Sequence, residues 1–151
     1  MQRIGEYLGH TGQFASVQQA ADAMWATSSS FGPHTPAQWL ALSRHMVTPL
    51  ADGSGRLTLH YDPAIAAPFG AMTQESVALA EAQLWQVYDN ITAKTLLTRG
   101  AQSDLLTRET ALAMVARGPK ARLVEFEGVG HAPTFNACDQ VQTVASFLFD
   151  E

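Results

Sequence analysis

Lys94-Thr-Leu-Leu-Thr-Arg-Gly-Ala-Gln-Ser-Asp104 and Arg122-Leu-Val-Glu-Phe-Glu-Gly-Val-Gly-His-Ala-Pro133 are the two stretches that decide the fold. Each opens as a short β-prone run and breaks at a glycine, Gly100 in the first and Gly128 in the second. Between them, Thr107 is a plausible N-cap for a helix through Thr110, Leu112, Met114 and Val115. Gly118-Pro119 ends that helix in the preferred order. A last helix is predicted from about Asp139 to Phe149, with Val141, Val144, Phe147 and Leu148 on one face. The order strand, helix, strand, helix implies a parallel pair joined by a right-handed crossover.

Both strands run into loops that carry chemistry. In open parallel sheets, ligands and reacting groups gather at the carboxyl ends of the strands. Asp104 follows the first strand and His131 follows the second, so both fall on the same sheet edge. Neighbouring strands are ~4.8 Å apart, close enough for the two side chains to meet. A carboxylate bonded to His Nδ1–H fixes the ring tautomer and stabilises the imidazolium. Ser103 is read as a brace of its loop rather than as a nucleophile.

These residues resemble the C-terminal end of the α/β-hydrolases. In that family a strand followed by R-G-x-x-S-D carries the triad acid, and a later strand followed by G-x-G-H-x-P carries the triad histidine. Asp104 and His131 match those positions, 27 residues apart and in the family order of acid then histidine. The resemblance implies an incomplete α/β-hydrolase: a helical cap over residues 1–90, then a C-terminal core part over 91–151. In the complete enzyme His131 would be the general base and Asp104 its orienter. The reaction would be hydrolysis of an ester, or of a related acyl or carbon–carbon bond, through a serine. That serine belongs in G-x-S-x-G, and no such motif occurs in the chain. Gly53-Ser54-Gly55 is the nearest spelling, with its glycines at the wrong offsets. The early strands and the oxyanion-hole loop are missing as well. The isolated chain is therefore expected to be inactive. Its partner would be an N-terminal half that completes a site for a small hydrophobic substrate, or a second copy paired through the exposed edge of the 95–99 strand. The alternatives are an inactive remnant serving as a binding or interaction module, and a water activated by the Asp104–His131 pair.

The first 90 residues read mainly as helices separated by Gly-, Pro- and Ser-rich loops. The first helix is expected over Phe14–Ala26, with Ser16 as a possible cap. The second opens at Thr35-Pro36, with threonine as cap and proline at the first position, and runs to about Val47 before Pro49 stops it. Arg56–Tyr61 alternates like a short strand, and a third helix is expected over about Thr73–Tyr88. Trp25, Trp39 and Trp85 lie on apolar helix faces, where core packing is the first reading. A cap lines its pocket from above, so Trp39 and Met46 are the candidate substrate contacts.

Composition narrows the classes. The 151 residues carry 9 Lys+Arg against 14 Asp+Glu, a net charge of −5, which argues against non-specific binding to nucleic acid. The apolar share of 46 % excludes a disordered chain. No apolar run approaches the ~20 residues of a membrane span. The N-terminus shows no signal-peptide core. One cysteine, Cys138, makes no internal disulfide, and the five histidines show no metal-ligand spacing. No cofactor, metal, nucleic acid or membrane is expected, and a cytoplasmic location is.

Overall fold

The computed structural model describes residues 12–67 and 72–149. They form two compact units. One takes in the described residues up to Ser29 together with those of His34–Thr73; the other joins Ser30–Pro33 to the chain from Gln74 onward.

The first unit is helical with a small hairpin. Helix α1 spans Val17–Ser28 and α2 spans Pro36–Ser43. Ser16 caps α1 by accepting the Gln19 N–H, which is why the helix starts at Val17 and not at Phe14. Phe14 instead exchanges backbone hydrogen bonds with Leu57, both 2.8 Å. Thr35 and Gln38 form a reciprocal capping box that spans Pro36. The α-helix closes at Ser43 and one 3₁₀ turn, Arg44–Met46, leads into strand β1, Val47–Pro49. β1 pairs antiparallel with β2, Leu57–Leu59, through the turn around Gly53-Ser54-Gly55. Both glycines there have positive φ, +72° and +71°, and a Cβ would meet nothing. Ser54 serves the turn: its N–H goes to Asp52 and its hydroxyl accepts from Arg56. Ala20, Ala21, Met24 and Trp39 make the core, with Met46 and Leu59 packed against it.

The second unit carries the parallel pair. Helix α3, Gln74–Asp89, precedes β3, Leu96–Gly100. Helix α4, Arg108–Ala116, then leads to β4, Arg122–Phe126, and α5 spans Cys138–Phe149. β3 and β4 are parallel in the register Leu96↔Arg122 to Gly100↔Phe126. Thr107 caps α4 by accepting the Thr110 N–H, and Gly118 ends the following turn at φ +54°. A Cβ on Gly118 would press on the Tyr88 carbonyl at 2.7 Å. Tyr88 closes α3 against α4 by donating its hydroxyl to the Met114 carbonyl at 3.0 Å. Among the described residues β3 and β4 each have a single sheet neighbour.

Candidate active site at the ends of the parallel strands

The two loops begin where β3 and β4 end, and the backbone ties them together. Beyond the strands the Ala101 N–H reaches the Phe126 carbonyl, and the Gln102 N–H reaches the Val129 carbonyl, both at 2.9 Å. Gly100 lies against the 128–130 loop so closely that a Cβ would stand 1.8 Å from the Gly130 carbonyl oxygen. Only a glycine permits that approach. Gly130 is confined in turn: its N–H bonds the Ser30 carbonyl, and a Cβ would meet Ser30 atoms at 2.6–2.9 Å. Gly128, at φ +73°, turns the chain off β4. The glycines of both motifs thus bring one loop onto the other.

Arg99 holds the first loop from beneath. Its side chain is 5 % exposed. Nε donates to the Leu106 carbonyl at 2.7 Å, one terminal nitrogen to the Ala101 carbonyl at 3.1 Å, and the other to the Ser103 carbonyl at 3.1 Å. The same guanidinium meets the Glu125 carboxylate on β4 at 2.6 Å. Glu125 also accepts from Arg108 at 3.3 Å. Those two arginines, Arg99 foremost, hold the Glu125 carboxyl below its usual range. The fork of Arg99 suits this task because its donors have fixed, diverging directions.

Ser103 is buried at the centre of the loop. Its N–H bonds the Gly100 carbonyl at 2.9 Å and its hydroxyl accepts the Leu106 N–H at 3.1 Å. The same Oγ lies 3.3 Å from His131 Nδ1. Asp104 follows on the exposed side of the loop, and the His131 ring is exposed. The loops carrying the sequence-predicted acid and base therefore meet through Ser103 and His131. Trp39 lies in the core of the first unit, 5 % exposed and donating Nε1–H to the Ala21 carbonyl at 2.8 Å. Met46 packs on the same cluster. Sequence reasoning passed over Arg99 and Glu125 as a pair. Their side chains meet because Arg99 and Glu125 are register partners across the parallel ladder.

A separate apolar groove of about 450 Å³ lies between α3 and α4, lined by Leu84, Trp85, Tyr88, Ile91 and Met114 among others. None of the described residues forms a metal-binding group of three or more His, Cys, Asp or Glu. No described helix is long and apolar enough to cross a membrane.

No protein-family model matches the chain. It is 43 % identical over 149 residues to the 3-hydroxybutyrate-oligomer hydrolase of Cupriavidus necator, a match covering 98 % of this chain and 51 % of that protein. The matched part is the C-terminal half of that hydrolase. An α/β hydrolase from Novosphingobium aromaticivorans superposes with a TM-score of 0.78 at 31 % identity, over 97 % of this chain and 50 % of its own. A crystal structure from Rickettsia typhi shares the fold at 23 % identity and a TM-score of 0.79, over 99 % of this chain and 48 % of its own. The chain shares the α/β-hydrolase fold of these structures and resembles that family. It spans about half the length of the relatives it matches and carries an incomplete form of their fold.

Proposed function

We propose that this chain supplies the acid and base of a serine-type α/β-hydrolase, with His131 as general base and Asp104 as its orienter. The observation that carries the reading is the contact of the two post-strand loops, with Ser103 Oγ 3.3 Å from His131 Nδ1. That contact puts the residue preceding Asp104 against the ring nitrogen that an orienting carboxylate must reach. In such a site a serine hydroxyl attacks the ester carbonyl while the imidazole takes its proton at Nε2. The imidazolium then returns that proton to the departing alkoxide, and water repeats the cycle on the acyl-enzyme.

The nucleophile and the oxyanion donors are assigned to an N-terminal half, because the chain has no G-x-S-x-G. Apolar surface supports such a partner. No residue of α3 is buried, and Leu79, Leu84 and Val87 on it are 61 %, 68 % and 66 % exposed. Two parallel strands alone are also uncommon, since parallel sheets are normally covered on both faces. The Cupriavidus relative points to short esters of hydroxy acids as the substrate class. The test compares the chain alone with the chain co-expressed with the N-terminal half of that relative, on 3-hydroxybutyrate oligomers and on a p-nitrophenyl ester. Turnover only in the complemented preparation is expected. A complex that forms without turnover would favour an inactive remnant that serves as an interaction module.

A further inference from the structure

We infer that Ser103 is a positioning residue for His131: its hydroxyl oxygen accepts the Nδ1–H of the ring and holds the imidazole in the tautomer that leaves Nε2 free. The inference rests on the reading of His131 as the base, since a base acting at Nε2 must carry its proton on Nδ1.

The hydroxyl is placed for this role from both sides. A serine oxygen has two acceptor sites. The Leu106 N–H occupies one at 3.1 Å, and the other is left for the ring. His131 Nδ1 lies 3.3 Å away. The Ser103 backbone cannot drift: its N–H is bound by Gly100 and its carbonyl by the buried Arg99 guanidinium. The histidine loop is equally tied, through the Val129 carbonyl to Gln102 and the Gly130 N–H to Ser30. Nδ1 carries a single proton, so Ser103 and the Asp104 carboxylate share it as a three-centre bond when both orient the ring. The hydroxyl proton of Ser103 stays available to a second acceptor.

The test reads the His131 ring in the 151-residue chain from its two ring ¹⁵N shifts. The pH is about 8.5, where imidazole is neutral, and His131→Gln identifies the signal. The native chain is expected to carry the proton mainly on Nδ1. Ser103→Ala should move the ratio about fivefold towards Nε2–H, the factor that one ordinary hydrogen bond is worth. Ser103→Thr keeps the hydroxyl and should restore the native ratio. Backbone amide signals of β3 and β4 verify that each variant is folded. Three results would overturn the inference: a native ring protonated mainly on Nε2, a Ser103→Ala ratio equal to the native one, or a Ser103→Thr ratio equal to that of Ser103→Ala. Asp104→Asn, measured alongside, separates the two ideas. If Asp104→Asn moves the ratio and Ser103→Ala does not, the Asp104–His131 reading stands and the role of Ser103 falls. If Ser103→Ala moves it and Asp104→Asn does not, the reverse holds.

Discussion

Arg99 on β3 and Glu125 on β4 are register partners whose side chains meet at 2.6 Å, and from that anchor the Arg99 guanidinium reaches three carbonyls of the loop carrying Asp104. The loop is thus fastened to the neighbouring strand by this side chain as well as by the Ala101 N–H bond to the Phe126 carbonyl. Arg99→Lys keeps the charge and loses the fork. Hydrogen bonds to charged groups contribute ~1.5–3 kcal/mol each, so losing even one should speed local opening about tenfold or more. Amide exchange at Gln102, Ser103 and Leu106 is the measurement, with exchange in α1 as the internal reference.

Acid should loosen the same region. The Glu125 carboxyl is held below its usual range, first by Arg99 and then by Arg108, and the Asp89 carboxyl by its hydrogen bonds to Arg117. A depressed folded-state value stabilises the protein above the unfolded value, near 4 for these groups, and the benefit is lost as pH falls through the folded value. Urea midpoints should therefore decline below about pH 4. Glu125→Gln and Asp89→Asn should each flatten that decline, and neither should add a slope above pH 6.

Glycine substitutions separate close approach from mere turn geometry. Gly100→Ala forces a Cβ to within 1.8 Å of the Gly130 carbonyl oxygen, and backbone cannot yield as a flexible side chain would. The cost should exceed about 4 kcal/mol, enough to deplete the folded protein. Gly53→Ala meets open space and bears only a left-handed conformation, worth about 1–2 kcal/mol. Soluble yield and urea midpoints of the two variants should differ accordingly.

Ser43 is fully buried at the end of α2, and its Oγ has no hydrogen-bond partner among the described residues. A buried hydroxyl left unsatisfied costs about 1–3 kcal/mol, and alanine is the better helix former. Ser43→Ala should raise stability by about 1 kcal/mol in urea unfolding.

Local chemistry made much of this fold legible. Ser16, Thr35 and Thr107 cap the helices that follow them because a side-chain oxygen three residues ahead of the bonded N–H is written in the sequence itself. The parallel pair followed from two β-prone runs with a helix between. Strand β1 was hidden because Pro49 reads as a helix stop, and its pairing depends on Leu57–Leu59 across the turn. Phe14 looked helical by spacing, yet Leu57 claims its backbone. The two loops that carry Asp104 and His131 could be picked out from their motifs, and they meet at the strand ends. The bracing by Arg99, Glu125 and Ser103 could not, because it arises from carbonyls that converge only after both loops have turned.

The proposed roles, His131 as base and Asp104 as its orienter, come into play once an N-terminal half supplies the serine. The most direct measurement is kcat/KM on a 3-hydroxybutyrate oligomer for the chain complemented by the N-terminal half of the Cupriavidus hydrolase, beside its His131→Ala and Asp104→Asn variants. His131→Ala should abolish turnover, and Asp104→Asn should lower it by about 10⁴-fold through the wrong tautomer. Turnover that survives His131→Ala unchanged would contradict the proposed role of His131.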